Sequence, residues 1–218
     1  QYRHGGKTPY LGRAMRWHHL LGLAFGAVCV TWIFSGLLSM NPWQVFDGGK
    51  GRDRAALRTG LDPGRFTLPP AQAIARLLDA QFIPVELEWR MFDGRGQYVA
   101  TDARGQARVV PAHVDGRPIA AIDESALLAE ARRVMPGVPI ARSTWLREYD
   151  AYYYARAEHT MSGSNDRRLP VLRIEFADQK HTWLHLDPAT GAVASRVDDS
   201  ARVRRWLFAF LHSWDWPA

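Results

Sequence analysis

Two adjacent histidines, His18 and His19, stand at the head of a long run of uncharged residues. A ring nitrogen close to lipid needs a partner, because an unpaired polar group is costly to hold in an apolar medium. Axial ligation of a haem iron is one such role. Solvation among lipid headgroups beside Arg16 is the other, and the residues alone leave both interpretations open.

A third candidate ligand, His212, lies in the apolar run from Trp206 to Trp216. That run is too short to span a bilayer and predicts an interfacial helix at the outer membrane face. About 30 Å of hydrocarbon would then separate His212 from His18 and His19, whereas the axial nitrogens of one haem lie about 4 Å apart. We predict that His212 serves a second haem whose other ligand lies in a span absent from this chain. The competing interpretation is an interfacial histidine that binds no metal.

The histidines of the soluble part are weaker metal ligands. His181 and His185 are predicted to share one face of a strand, about 13 Å apart, which is too far for one ion. His159 and Met161 form a soft-ligand pair or are simply solvent-exposed in a polar loop. The sequence contains no nucleotide-binding, zinc-protease or nucleophile-elbow motif. It therefore predicts no catalytic constellation in the soluble domain.

The run from Leu20 to Met40 carries no charge and predicts a transmembrane helix. About 21 residues at 1.5 Å each give about 31 Å, the thickness of the hydrocarbon core. Trp17 and Trp43 mark the two interfaces, and Pro42 cannot continue the helix. A buried helix of a soluble protein would be shorter, and a cleaved signal peptide would have a shorter apolar core and a small-residue cleavage site. We predict a retained span over residues 17–43.

Small residues line this span. Gly22 and Gly26 form a G-x-x-x-G pair, and Thr31, Ser35 and Ser39 follow one another at intervals of four. Such surfaces allow transmembrane helices to approach closely. The pattern therefore favours packing against another helix over a bare lipid anchor.

The charge distribution predicts an orientation. Residues 1–16 carry bases and no acid, whereas the bases that follow the span are mixed with Asp47 and Asp53. The positive-inside rule then places the N-terminal segment in the cytoplasm and the downstream domain in the periplasm. The single cysteine, Cys29, lies inside the span and gives no indication of the compartment.

At 218 residues, 47% of them hydrophobic, the chain can hold one span and one soluble domain. The net charge of +6 does not indicate nucleic-acid binding, because the bases are dispersed or lie near the span. The chain begins at a Gln and stops directly after the apolar run that ends at Trp216, so we expect it to be a piece of a longer protein.

The soluble part is predicted to form an α+β domain of two repeats, each a helix followed by strands. Residues 44–66 form a glycine-rich linker, 67–122 the first repeat, 123–199 the second, and 200–218 the interfacial helix. A helix opening at Pro70 is followed by strands near Val85–Met91, Gln97–Thr101 and Ala107–His113. A helix capped by Asp123 is followed by strands near Ile140–Arg147, Ala151–Ala157, Leu169–Phe176, His181–Leu186 and Ala192–Val197. The tyrosines at 149 and 152–154 are interpreted as packing residues.

The order of these elements, closed by strand-D-P-x-T-G-strand at Asp187–Gly191, resembles the PepSY domain, here in two copies over residues 67–197. The span resembles the PepSY-associated transmembrane helix, which begins W-H-H-x-x-G-L-x-x-G and ends W-x-F-S-G-x-L-S-M-x-P. These motifs stand at residues 17–26 and 32–42. The segment F-L-H-S-W-D-W-P at 210–217 is similar to the part that leads into the family's next membrane helix.

This resemblance implies a bacterial inner-membrane protein of the iron-regulated, ferric-reductase-like group, with b-type haem held by membrane histidines. The partners implied are the lipid bilayer, further transmembrane helices absent from this chain, and a periplasmic acceptor such as a ferric siderophore. Two hypotheses follow. The chain is part of a haem-b electron conduit that acts as a transmembrane ferric reductase, or it is a non-catalytic tethered module that binds peptides or partner proteins.

Overall fold

The computed structural model describes residues 10, 12–40, 60–155 and 167–210. The chain divides into two compact units. The first takes residues 1–47 and 203–216, and the second takes 48–202 together with the last two residues.

The first unit is built on one long helix, α1 (Arg13–Ser39). Within it Arg13–Leu38, 26 residues, is long and apolar enough to cross a membrane by length and composition, so the predicted long apolar helix is present. The helix begins before Trp17 because the first turn is already closed by the Arg16 N–H donating to the Gly12 carbonyl at 3.0 Å.

Almost every described side chain of α1 is exposed. Ser35 and Leu38, near the C-terminal end of α1, are buried, and α1 contacts a π-helical turn over Arg205–Phe210. The hydroxyls of Thr31 and Ser35 donate to carbonyls within the same helix, those of Val28 and Trp32, at 2.8 and 2.9 Å. Each of these two hydroxyls thus donates its hydrogen within α1.

The second unit begins with a short 3-10 turn, a helix and a three-stranded antiparallel sheet in the order β1-β2-β3. The elements are the turn Pro63–Arg65, α2 (Pro70–Asp79), β1 (Pro84–Phe92), β2 (Arg95–Asp102) and β3 (Ala107–Pro111). Proline suits the first turn of α2 because that position needs no N–H donor. Asp93 and Gly94, with φ of 47° and 69°, form the two-residue turn between β1 and β2.

A second helix and a four-stranded antiparallel sheet in the order β4-β5-β6-β7 follow. The elements are α3 (Glu124–Val134), β4 (Ile140–Leu146), β5 (Val171–Phe176), β6 (Trp183–Leu186), β7 (Val193–Val197) and a last short helix, α4 (Asp199–Arg204). Asp123 caps α3 as predicted, because its Oδ1 accepts the N–H of Ala126 at 2.9 Å. The predicted α+β class is therefore confirmed.

Two apolar clusters hold this unit together. In the first, α2 packs on one face of the three-stranded sheet through Leu77, with Tyr98 and Val110 from the sheet. In the second, Val99 and Val109 from the opposite face of that sheet join Leu127 of α3 and the inner face of the four-stranded sheet. The outer face of the four-stranded sheet carries the polar side chains of Arg173, His185 and Ser195 beside the buried Val171 and Val197.

Two strand predictions are wrong. Residues 151–155 do not form a strand, because Oδ1 of Asp150 accepts the N–H groups of Tyr152 and Tyr153 at 2.9 and 2.8 Å and bends the chain instead. His181 does not lie in β6, which begins at Trp183; His181 has a φ of 47° and its exposed imidazole pairs with Asp199 at 2.9 Å. Residues 156 and 157 of the first predicted strand lie outside the described residues.

Candidate functional site

The two candidate ligands on α1 have different surroundings. The imidazole of His18 is exposed, whereas His19 is half-buried with its ring centroid 5.2 Å from that of Tyr10. Tyr10 is itself tied to the helix, since its carbonyl accepts from Nε of Arg16 at 2.8 Å. His19 thus has an aromatic neighbour, and His18 is the more accessible of the two imidazoles.

The glycines beside the histidines leave the helix surface open. A Cβ added at Gly22 or at Gly26 would meet no described heavy atom within 4 Å. Gly22 lies about 40° from His18 around the helix, at about 100° per residue. If a haem were bound at this helix, His18 is the residue that would hold it, and the bare strip at Gly22 and Gly26 would leave room beside it.

The other sequence-predicted ligands are not described. His212, His159 and Met161 lie outside the described residues, so the second-haem prediction for His212 stays a prediction. Across residues 10, 12–40, 60–155 and 167–210, no three or more His, Cys, Asp or Glu side chains are grouped so that they could hold a metal ion.

Sequence reasoning missed a polar cluster on the outer face of the four-stranded sheet. Arg173, His185 and Ser195 lie directly opposite one another on β5, β6 and β7. Nε of Arg173 donates to Nε2 of His185 at 2.9 Å, and Nδ1 of His185 is 2.7 Å from Oγ of Ser195. His185 is fully buried, with Tyr153 stacked on its ring at 4.8 Å. We call these four residues and Asp150 the His185 cluster.

The direction of these hydrogen bonds decides what the cluster can do. Arginine only donates, so Nε2 of the neutral imidazole is the acceptor and Nδ1 carries the proton. Nδ1 then donates to Ser195 instead of taking its proton, which is the reverse of what a nucleophilic serine requires. The serine and histidine of the cluster are therefore not arranged for acyl transfer.

Burial and charge keep His185 neutral. Burial, followed by the nearby guanidinium of Arg173, lowers the pKa of His185 to about 3. The charge of Arg173 is balanced by Asp150, whose Oδ2 lies 2.6 Å from Nη2. Burial opposes ionisation of Asp150, but the Tyr152 N–H and the guanidinium outweigh it, and the pKa of that carboxyl falls below its ordinary value.

Trp183 extends the cluster at its edge. The guanidinium carbons of Arg173 and Arg202 lie 4.6 and 4.5 Å from its ring centroid, and Tyr152 meets it edge-on at 5.5 Å.

A sequence signal for this cluster does exist, namely an arginine inside the otherwise apolar start of β5. Recognising it would have required the register of β5 against β6.

Comparison of the chain with protein-family models, with curated proteins and with solved structures finds no match.

Proposed function

We propose that this chain is the membrane-anchored part of a haem-b electron-transfer protein of the bacterial inner membrane, which reduces ferric iron or a ferric siderophore in the periplasm. The observation that carries the proposal is the exposed imidazole of His18, one helical turn from Gly22 on a helix long enough to span a bilayer. The motif resemblance of residues 17–26 and 32–42 to the PepSY-associated helix supports the same function.

His18 is the axial ligand that we assign to this helix. Adjacent residues project about 100° apart, so His18 and His19 cannot both bind one iron. Tyr10 packs on His19, which favours His18. When bound, the haem supplies one-electron chemistry, and its potential depends on the axial ligands and their surroundings. The protein's part is to fix the imidazole and to leave room beside it at Gly22 and Gly26.

The sheet domain has a non-catalytic role in this proposal. Among the described residues, its one serine-histidine contact has the wrong donor direction for acyl transfer, and no metal cluster accompanies it. We assign it to the periplasm, where it shapes the surface on which an acceptor docks, with residues 1–16 in the cytoplasm. The basic, acid-free N-terminal segment supports this orientation.

The second candidate is a membrane-tethered PepSY module that binds peptides or partner proteins without haem. The contact between His19 and Tyr10 favours it, because it gives one of the two histidines a partner other than a metal.

An absorption spectrum of the purified full-length protein tests the proposal. A b-type band that appears on reduction supports the electron conduit. A colourless protein, purified from cells supplied with iron and haem, would leave the tethered module in its place.

A further inference from the structure

The strand β1 forms an edge of the three-stranded sheet, and its outer side is open among the described residues. The opposite edge is protected, since Val109 of β3 exchanges two backbone hydrogen bonds with Ile119 at 2.8 and 3.0 Å. No described residue forms such a bridge or backbone hydrogen bond with the outer side of β1, which is 9 residues long. A long open edge exposes unpaired backbone N–H and C=O groups, which can pair with another strand.

The register shows which backbone groups of β1 face outward. The Ala112 N–H donates to the Gly96 carbonyl at 2.9 Å, so the backbone groups of Gly96 point towards β3. Met91, directly opposite Gly96, therefore points its own N–H and C=O away from β2. By the alternation of an antiparallel ladder, Trp89 and Leu87 do the same.

The regular part of β1 is symmetric about Trp89. A register shift at Val85 ends the ladder on one side, and the turn after Phe92 ends it on the other. Trp89 is the central residue of the remaining stretch, Glu86–Phe92. It is 43% exposed although its ring packs on Phe66 and Tyr98.

We propose that two copies of this chain pair through β1, antiparallel and centred on Trp89, to form a continuous six-stranded sheet. In this register the outward N–H and C=O groups of Trp89 meet those of Trp89 in the second copy, and those of Leu87 meet Met91. Every outward group of the regular stretch then gains a partner.

The charges of β1 favour this register. Glu88 and Arg90 are on one face of the strand, 2.6 Å apart within the copy. Pairing centred on Trp89 sets Glu88 opposite Arg90 of the second copy, twice. Centring on Arg90 would oppose two arginines, and centring on Leu87 would oppose Glu86 and Glu88 twice, both of which are destabilising. Centring on Glu88 would pair Glu86 with Arg90 but set the two copies of Glu88 against each other, and centring on Met91 would leave the outward groups of Leu87 unpaired.

The helix above β1 adds apolar surface to the same interface. Arg76 of α2 donates to the carbonyls of Val114 and Gly116, in the segment that follows β3. Ile74 and Leu78, 37% and 51% exposed, lie about 160° around the helix from Arg76 and therefore on the β1 side. The two-fold axis of an antiparallel pair is perpendicular to the sheet, so both copies of α2 lie on one face with these side chains turned towards each other.

Charge exchange tests the proposal. The mass of the full-length protein in detergent is measured by light scattering, with Cys29→Ser to remove disulfide formation. Glu88→Arg and Arg90→Glu should each raise the dimer dissociation constant about tenfold or more, because each variant sets like charges opposite each other. An equimolar mixture of the two variants should recover the dimer, since each then supplies the charge that the other lacks. This recovery also shows that both variants are folded.

Arg104→Glu, in the exposed turn between β2 and β3, is the matched control and should leave the dimer intact. A monomeric parent protein would overturn the proposal. So would single variants that stay dimeric, which would move the interface elsewhere in the chain. A mixture that fails to recover the dimer would also overturn it, and would point to an extended segment of another protein as the occupant of β1.

Discussion

Arg173 and His185 lie opposite each other on β5 and β6, and the guanidinium Nε donates to the imidazole Nε2 at 2.9 Å. A cation that donates to a neutral imidazole is stable here because Asp150 balances its charge at 2.6 Å. The same contact fixes the proton of His185 on Nδ1, facing Ser195. The His185 cluster is thus a structural network on the outer face of the sheet.

The first prediction concerns pH. The pKa of His185 is about 3 in the folded protein, against about 6.5 for an unfolded histidine. Between these two pKa values His185 is protonated in the unfolded chain but neutral in the folded protein. The free energy of unfolding therefore has its full value above about pH 7 and falls as the pH is lowered. The slope contributed by His185 is at most about 1.4 kcal/mol per pH unit.

Denaturant unfolding between about pH 7 and 5, followed by near-UV circular dichroism, measures this slope; below that window the carboxylates Asp150 and Asp178 add their own loss. His185→Gln should flatten it, because glutamine still accepts from Arg173 but does not titrate. His113→Gln, which removes an exposed imidazole, is the control. A wild-type slope in His185→Gln would contradict the assignment.

Ser195→Ala should cost about 1–3 kcal/mol of unfolding free energy, because it leaves the Nδ1–H of a buried imidazole without its acceptor. Ser143→Ala is the matched control. Its hydroxyl lies 3.2 Å from a carboxylate of Glu124 that Trp145 also contacts, so its loss should cost about 0.5 kcal/mol or less. Chemical denaturation at pH 7 measures both. Equal costs would mean that His185 does not depend on Ser195.

Local signals in the sequence predicted much of the fold. The cap at Asp123, the turn at Asp93 and Gly94, and the alternation in β1 each depend on neighbouring residues, so the sequence is enough to find them. The strand predicted from Ala151 failed because one side chain, Asp150, offers the backbone a competing set of hydrogen bonds.

The His185 cluster could not be predicted for a different reason. It depends on the register in which three strands pair. Without that register, nothing in the sequence shows that Arg173 and Ser195 lie beside His185. The same holds for the difference between His18 and His19. In the sequence the two histidines are adjacent and equally plausible ligands. They differ in the structure because Tyr10 packs on His19 and leaves His18 more exposed.

The D-P-x-T-G turn offers a third prediction. Gly191 has a φ of 72°, and a Cβ there would lie 2.7 Å from Phe92 and 2.9 Å from Ile122 in the core. Gly191→Ala should therefore cost about 1 kcal/mol for the backbone conformation and about 1–3 kcal/mol more for overpacking.

Gly105 provides the control for that substitution. Its φ is 75°, yet a Cβ would meet no described atom within 4 Å. Gly105→Ala should cost only the backbone part, about 1 kcal/mol. Thermal or chemical unfolding of both variants measures the difference. If the two glycines cost the same, the close approach of this turn to the core is not what requires glycine at position 191.

The fourth prediction concerns the open strip on α1. Gly26→Leu should reduce haem content, because the side chain would fill the space that we assign to a haem edge or a neighbouring helix. Leu23→Ile, a change of shape on the exposed surface of the same helix, should not. The ratio of haem to protein after purification is the measurement. Small and equal effects of both substitutions would indicate a bare lipid anchor.

The most direct test of the proposed function is the haem-to-protein ratio of full-length His18→Ala beside His19→Ala and the parent protein, with reduced-minus-oxidised spectra of each. The proposal predicts that His18→Ala loses its haem, or falls to about half the parent ratio if a second haem is held elsewhere, and that His19→Ala keeps the parent ratio. A parent protein without haem, or a His18→Ala variant that retains the full parent ratio, would contradict it.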